Sequence, residues 1–309
     1  ADAIPHVNCK GLTTRTRAPK DSYWLYKAVL GKDPFVKLAG HDWPLRSGDE
    51  GEAQPSEVYS NASSVRIVLN GKELGKFAVA DGYASFDVVW QDGANVLEAE
   101  AVVGGKTVRD VLNVDYRAIP KDMSKFTELN VSLGGARYFY DADGAVTWIP
   151  EKEYVPGRWG YVGGEPGRVK TNRGSQPCSN LNILGTDQDP LYQMQRRGIE
   201  AFKADVPDGK YYVYLHFCEL NVSSDKIVRL AYSLGNDVVG EEVSDRVFDV
   251  SVNGQTVLKD YDIRREDGEA HPVMKRFTVD VSGGEGLTVA FTPVKGVPVL
   301  NAIRIWRCE

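Results

Sequence analysis

Residues 246–263 read Arg-Val-Phe-Asp-Val-Ser-Val-Asn-Gly-Gln-Thr-Val-Leu-Lys-Asp-Tyr-Asp-Ile. Phe248, Val250 and Val252 alternate with Asp249 and Ser251, the two-residue period of a strand with one buried face. Asn253-Gly254 then places two residues tolerant of positive φ where a tight hairpin needs them. About thirty residues upstream, Asp208-Gly209 opens a second alternating strand, Lys210-Tyr211-Tyr212-Val213-Tyr214-Leu215-His216-Phe217-Cys218-Glu219. Further strands are expected at 276–281, 287–293 and 299–306, the last close enough to the end to be tucked into a sheet. The region from about Phe126 onward therefore reads as one large all-β domain.

The same grammar recurs earlier. Residues 64–70 alternate through Val65, Ile67 and Leu69, turn at Asn70-Gly71, and return through Leu74 and Phe77. Strands follow at 83–90, 95–103 and 106–116, separated by Asp81-Gly82, Asp92-Gly93 and Gly104-Gly105. This spacing predicts a small immunoglobulin-like sandwich. Pro120 and the polar run 121–125 read as a linker. Residues 1–47 differ. They hold one helix candidate at 21–30, capped by Ser22 or Asp21 and ended by Gly31, with Tyr23, Tyr26 and Leu30 forming an apolar stripe that must pack on something. A lone helix and a short strand make no domain, so residues 1–47 are expected to be the tail of a separate preceding domain. The boundaries are then 1–47, 48–120 and 121–309.

Bulk properties narrow the function. The chain has 309 residues, 42% hydrophobic and 26% charged, with a net charge of −6. That balance offers no basic surface for nucleic acid, and no apolar run is long enough to span a membrane. The four cysteines, Cys9, Cys178, Cys218 and Cys308, are scattered and are expected to be free thiols. His6, His41, His216 and His271 are equally dispersed, so no metal or cofactor is implied. Most acidic residues fall at turns or on polar faces of strands, where they read as solvated. Glu219 ends an apolar strand, where a buried carboxylate needs a partner.

Three resemblances cover nearly all of the chain. Gly11-Leu12, Lys20-Asp21-Ser22-Tyr23, Leu25-Tyr26-Lys27 and Trp43 resemble the last turn of the catalytic barrel in glycoside hydrolase family 2, the β-galactosidase and β-glucuronidase family. Val58-Tyr59-Ser60-Asn61, followed by Val65 and Leu69-Asn70-Gly71-Lys72-Glu73-Leu74-Gly75, is similar to the immunoglobulin-like domain after that barrel. Asn130-Val131-Ser132-Leu133-Gly134-Gly135, Leu191-Tyr192-Gln193 and the 246–263 stretch resemble the malectin-like carbohydrate-binding domain, a galactose-binding-like jelly-roll sandwich. The order of the parts resembles the C-terminal region of a bacterial β-galactosidase-type enzyme, exported to the periplasm or beyond. Its catalytic carboxylates would lie on the barrel, outside this chain, and its partners would be that barrel and an oligo- or polysaccharide.

A sugar site stacks aromatic rings on the C–H face of a pyranose and bonds the hydroxyls with a few polar groups. Residues 137–164 are rich in rings, and Trp159 and Tyr161 sit among glycines, where an adaptable loop would expose them; the opposing reading is that they are core. The resemblance to malectin implies ligand-contacting aromatics after Leu-Tyr-Gln and after the Phe-x-Glu strand end. This chain carries Arg197 at the first place and Asn221 with Val222 at the second, and Gly296-Val297-Pro298 where malectin supplies an acid. The binding candidates are therefore Trp159, Tyr161, Arg197 and Asn221. Two readings stay open: a carbohydrate-binding appendage, or modules that pack on the barrel or a partner subunit through the Tyr23/Tyr26/Leu30 stripe.

Overall fold

The computed structural model describes residues 11–14, 16–171, 174–179, 181–222 and 245–308. It contains two compact units, with the boundary between Ala118 and Ile119.

The smaller unit opens with α1 (Asp21–Leu30), followed by β1 (Val36–Leu38), β2 (Leu45–Asp49), β3 (Ala53–Ser60), β4 (Ser64–Leu69), β5 (Lys72–Ala78), β6 (Tyr83–Val89), β7 (Gly93–Val103) and β8 (Lys106–Ile119). Two antiparallel sheets, β1-β3-β6 and β2-β8-β7-β4-β5, form an immunoglobulin-like sandwich. The alternation in the sequence is the burial pattern: Val65, Ile67, Leu97, Ala99, Leu112 and Val114 point inward, and their neighbours point out. The 21–49 segment, expected to be a tail, contributes two strands to the sheets of this sandwich. Val36–Leu38 pairs with β3, and Leu45–Asp49 lies at the edge of the five-stranded sheet beside β8. A helix and short strand can join a domain by edge pairing, which leaves no periodic signature of its own.

The helix has the expected bounds but not the expected packing face. Ala28 is buried, and Trp24, Leu25 and Ala28 pack with Phe35 and Tyr59. Trp24 stacks on Phe35 at 5.8 Å, with the Lys27 ammonium over both rings. Tyr26 and Leu30 face outward, Leu30 being 72% exposed. Neither suggested cap serves: Lys20 holds the cap position and its side chain does not cap the helix, and the Asp21 carboxylate instead accepts the Gly40 N–H at 3.2 Å.

The larger unit contains β9 (Glu128–Ser132), β10 (Phe139–Asp141), β11 (Val146–Pro150), β12 (Trp159–Val162), β13 (Glu165–Pro166), β14 (Val169–Thr171), β15 (Gly174–Gln176), α2 (Asp189–Tyr192), β16 (Arg196–Arg197), β17 (Ala201–Ala204), β18 (Gly209–Phe217), β19 (Val247–Val252), β20 (Gln255–Tyr261), α3 (Ile263–Glu266), β21 (Val273–Val281), β22 (Leu287–Lys295), β23 (Val299–Leu300) and β24 (Ala302–Arg307). A six-stranded sheet, β10-β11-β9-β24-β18-β21, faces a five-stranded one, β12-β17-β22-β19-β20. Leu129, Tyr211, Val213, Leu215, Ile303 and Ile305 from the first meet Phe202, Phe248, Val250, Val252 and Val289 from the second. A smaller apolar cluster, with Trp148, Leu181, Ile183, Leu191, Tyr192 and Ala302, lies apart from this core.

The 246–263 hairpin forms as read. Asn253 and Gly254 have φ of 45° and 79°, and Val252 pairs with Gln255 across the turn. The Asn253 amide does more than turn the chain. Its Oδ1 accepts the Thr288 N–H at 2.8 Å and its Nδ2 donates to the Gly286 carbonyl at 2.9 Å, tying the turn to the next strand. Two register shifts interrupt the ladder, and the Asp249 carboxylate spans that region by accepting from the Asp260 N–H and Lys259 Nζ.

Candidate ligand-binding site

Of the four residues expected to touch sugar, the structure buries Trp159, leaves Tyr161 half-buried against the core, and sets Arg197 and Asn221 beside a buried arginine–glutamate pair. Trp159 is not on an adaptable loop. It begins β12, is 1% exposed, stacks on Phe202 at 6.3 Å and carries the Lys152 ammonium 4.3 Å above its ring. Glycine there serves close approach rather than mobility: a Cβ on Gly160 would sit 2.5 Å from the backbone nitrogen of Tyr154. Tyr161 is half-buried against the main core, and the Arg196 guanidinium lies 3.3 Å from its ring centroid. Arg196 is itself buried. It pairs with Glu151 at 2.7 and 2.9 Å and donates to the carbonyls of Gly163 and Gly164, fixing the glycine-rich segment. Trp159 therefore presents no free face for a pyranose, while Tyr161 stays partly exposed.

Arg197 and Asn221 both lie beside Arg246, the first residue of the 246–263 stretch. Its side chain is 3% exposed, and its Nε lies 2.7 Å from Glu219 Oε2. Glu219 was expected to need a buried partner, and this is it. The same carboxylate accepts the Asn221 N–H at 2.8 Å. The Asn221 carbonyl accepts from Arg264 Nη2 at 2.6 Å, and Arg264 in turn pairs with Glu269 at 3.0 Å and approaches Asp245 at 3.7 Å. Arg197 lies on β16, its backbone paired with Glu165 and Val299, and its positive charge acts on Arg246. Burial lowers the Arg246 pKa, the Glu219 charge opposes that shift, and the like charges of Arg197 and Arg264 add to it. The 296–298 segment closes on the same place: the Gly198 N–H donates to the Pro298 carbonyl at 2.7 Å, and Gly296 leaves no room for a Cβ beside the Asp245 carbonyl.

The chemistry of this cluster is hydrogen bonding and charge, not stacking. The Nη1 of Arg246 is buried and has no hydrogen-bond partner among the described residues, and leaving such a donor unsatisfied costs about 1–3 kcal/mol. An oxygen-rich ligand is the natural acceptor for such a group. Arg246 was hard to find in sequence because it precedes an alternating strand, where a cation reads as a solvated end. Its signal was indirect, in the buried carboxylate of Glu219. Cys178, Cys218 and Cys308 are free thiols, while Cys9 and His6 lie outside the described residues.

Comparison with known families adds identity to this geometry. The malectin domain model matches residues 126–302, more than half of the chain. The chain belongs to the malectin domain family. The smaller unit matches a domain of unknown function, DUF4982, over residues 51–109. A putative β-glucuronidase of Formosa agariphila is 37% identical over 123 residues, covering 38% of this chain and 15% of that protein. A probable leucine-rich-repeat receptor-like serine/threonine-protein kinase of Arabidopsis thaliana is 26% identical over 208 residues, 60% of this chain and 19% of that protein. Among solved structures, Bacteroides uniformis β-glucuronidase 2 superposes with a TM-score of 0.83 at 27% identity, over 99% of this chain and 34% of that one. The likeness thus takes in the malectin domain and the smaller unit alike, and the resemblance to glycoside hydrolase family 2 stands. The chain spans only 15% and 34% of the lengths of these two β-glucuronidases.

Proposed function

We propose that this chain is the non-catalytic C-terminal part of a β-glucuronidase-type glycoside hydrolase of family 2, acting outside the cytoplasm of a bacterium. In this reading the smaller sandwich is a spacer and the malectin domain binds carbohydrate through the Arg197–Asn221–Arg246 cluster. The observation that carries it is the superposition of 99% of the chain on part of a β-glucuronidase. The relatives favour the glucuronidase over the galactosidase branch of the family. Retaining hydrolysis needs two carboxyls about 5 Å apart flanking the bond. The buried Glu151, Glu219 and Glu269 are each held by an arginine, which supports a catalytic centre elsewhere in the protein.

The test joins two measurements. The parent protein, with its barrel, is expected to cleave nitrophenyl β-glucuronide in preference to the β-galactoside. The 309-residue chain is expected to bind glycan on an array, with loss in Arg197→Ala and Asn221→Ala. Silence across plant, host and microbial glycans would remove the binding role. A second reading, that the modules pack on the barrel without binding glycan, draws support from the outward face of α1. Tyr26, Val29 and Leu30 are all exposed there. A stable complex with the separately expressed barrel, disrupted by Leu30→Lys, would favour it.

A further inference from the structure

The outer face of the six-stranded sheet is a different surface from the Arg246 cluster, which lies beyond the Phe217 end of β18. Strand register sets its residues in rows. One row runs Glu128, Trp306, Tyr212, Thr278; the next runs Asn130, Arg304, Tyr214, Arg276; a third runs Ser132, Ala302, His216, Met274. The smaller apolar cluster takes in Ala302, and His216 bonds Tyr192 of that cluster, so most of the third row is covered. The first two rows are not. Trp306 is 45% exposed, Tyr212 and Tyr214 are partly exposed, and Met274 at the rim is 55% exposed.

Rings and guanidinium groups alternate across these rows. Tyr212 packs edgewise on Trp306 at 6.5 Å and on Tyr214 at 6.4 Å. Arg304 lies 5.2 Å from the Trp306 ring and 5.9 Å from that of Tyr214, and Arg276 lies 5.4 Å from Tyr212. The two arginines differ in charge balance. Arg304 pairs with Glu128 at 2.7 Å, whereas the exposed Arg276 has no acidic partner among the described residues.

The solvent face of an antiparallel sheet is ordinarily polar, so a strip of rings left open there is a candidate docking surface. An aromatic ring receives the C–H face of a pyranose. A guanidinium fork binds hydroxyls and, in bidentate fashion, carboxylates. The unanswered charge of Arg276 selects an anion. Neighbouring strands lie about 4.8 Å apart and alternate residues along one strand about 6.7 Å apart, which sets the Tyr212 ring 6.5 Å from that of Trp306 and 6.4 Å from that of Tyr214 along the face. We propose that this face contacts a glycan chain bearing uronate carboxylates, with Trp306 and Tyr212 against sugar rings and Arg276 paired with a carboxylate. The choice of uronate rests on the β-glucuronidase-type reading; the existence of the surface does not.

The test uses the 309-residue chain and two probes, an oligosaccharide alternating glucuronic acid with N-acetylglucosamine and its carboxyl-reduced form. The expected result is a shift of the Trp306 indole N–H resonance on adding the acidic probe. Binding should weaken about tenfold or more in Trp306→Ala and in Arg276→Gln, and by a similar factor for the reduced probe. Arg276→Gln alters an exposed side chain and leaves the fold intact, so its loss of binding cannot come from unfolding. The proposal is overturned by absence of binding, by binding unchanged in both variants, or by equal affinity for the two probes. Loss in Arg197→Ala with no effect of Trp306→Ala would assign binding to the Arg246 cluster, overturning this proposal and sparing the module's function. Self-association abolished by Trp306→Ala, without glycan binding, would make the face a contact between copies of this chain.

Discussion

His216 faces the Tyr192 hydroxyl, 2.8 Å from its Nδ1, and the Trp148 ring, 5.0 Å away edge-on. Burial, with the nearby Arg304 charge, lowers its pKa from 6.5 to about 4. The unfolded chain therefore takes up a proton between those two values that the folded chain refuses. This contribution to stability is complete above about pH 6.5 and is lost as pH falls toward 4, by up to ~3 kcal/mol. Urea unfolding at pH 7 and pH 4.5 should show that loss, and His216→Gln should flatten it. The Arg246–Glu219 pair makes a second residue-level prediction. Glu219→Ala strands a buried guanidinium and is expected to cost about 3–5 kcal/mol, read as a drop in melting temperature. Adding Arg246→Met should restore most of that loss, because the stranded charge goes with it.

Strands whose one face meets a continuous core were legible, since burial imposes a two-residue period on the sequence itself. The strands at Ser64–Leu69, Tyr83–Val89, Gly209–Phe217 and Val247–Val252 all carry it. Short elements defined by distant partners carry no period. Arg196–Arg197 and the four-residue helices went unread for that reason, and the expected strand at 299–306 is two, Val299–Leu300 and Ala302–Arg307, each with a different partner. The glycines around Trp159 misled because close backbone approach and loop flexibility use the same residue. In the candidate site, Arg197 and Asn221 were reached by likeness alone, and Arg246 could not be, since its partner lies far away in sequence. The hairpin gives the test at this scale. Asn253→Ala forces alanine into positive φ and removes the bonds to Thr288 and Gly286, an expected loss of about 2–3 kcal/mol. Asn253→Gly relieves the backbone but not the bonds, so its urea midpoint should fall between alanine and wild type.

The two units have separate cores, one centred on Ile67, Leu97 and Leu112, the other on Phe202, Leu215 and Phe248. Each closes its own sheets, so a fragment of residues 119–309 is expected to unfold cooperatively and give a dispersed amide spectrum; a collapsed spectrum would show that the malectin domain needs its neighbour. Within that domain the wiring has a temporal side. β24 lies between β9 and β18, so the middle of the six-stranded sheet is its last strand, paired with a first strand about 170 residues earlier. On the ribosome the earlier strands must wait, with the central slot empty and two strand edges exposed, until residue 307 has emerged. A premature stop or a protease cut before Ala302 would then remove the keystone rather than a trailing end. Such a chain is expected to aggregate through its open edges rather than persist as a slightly shortened domain.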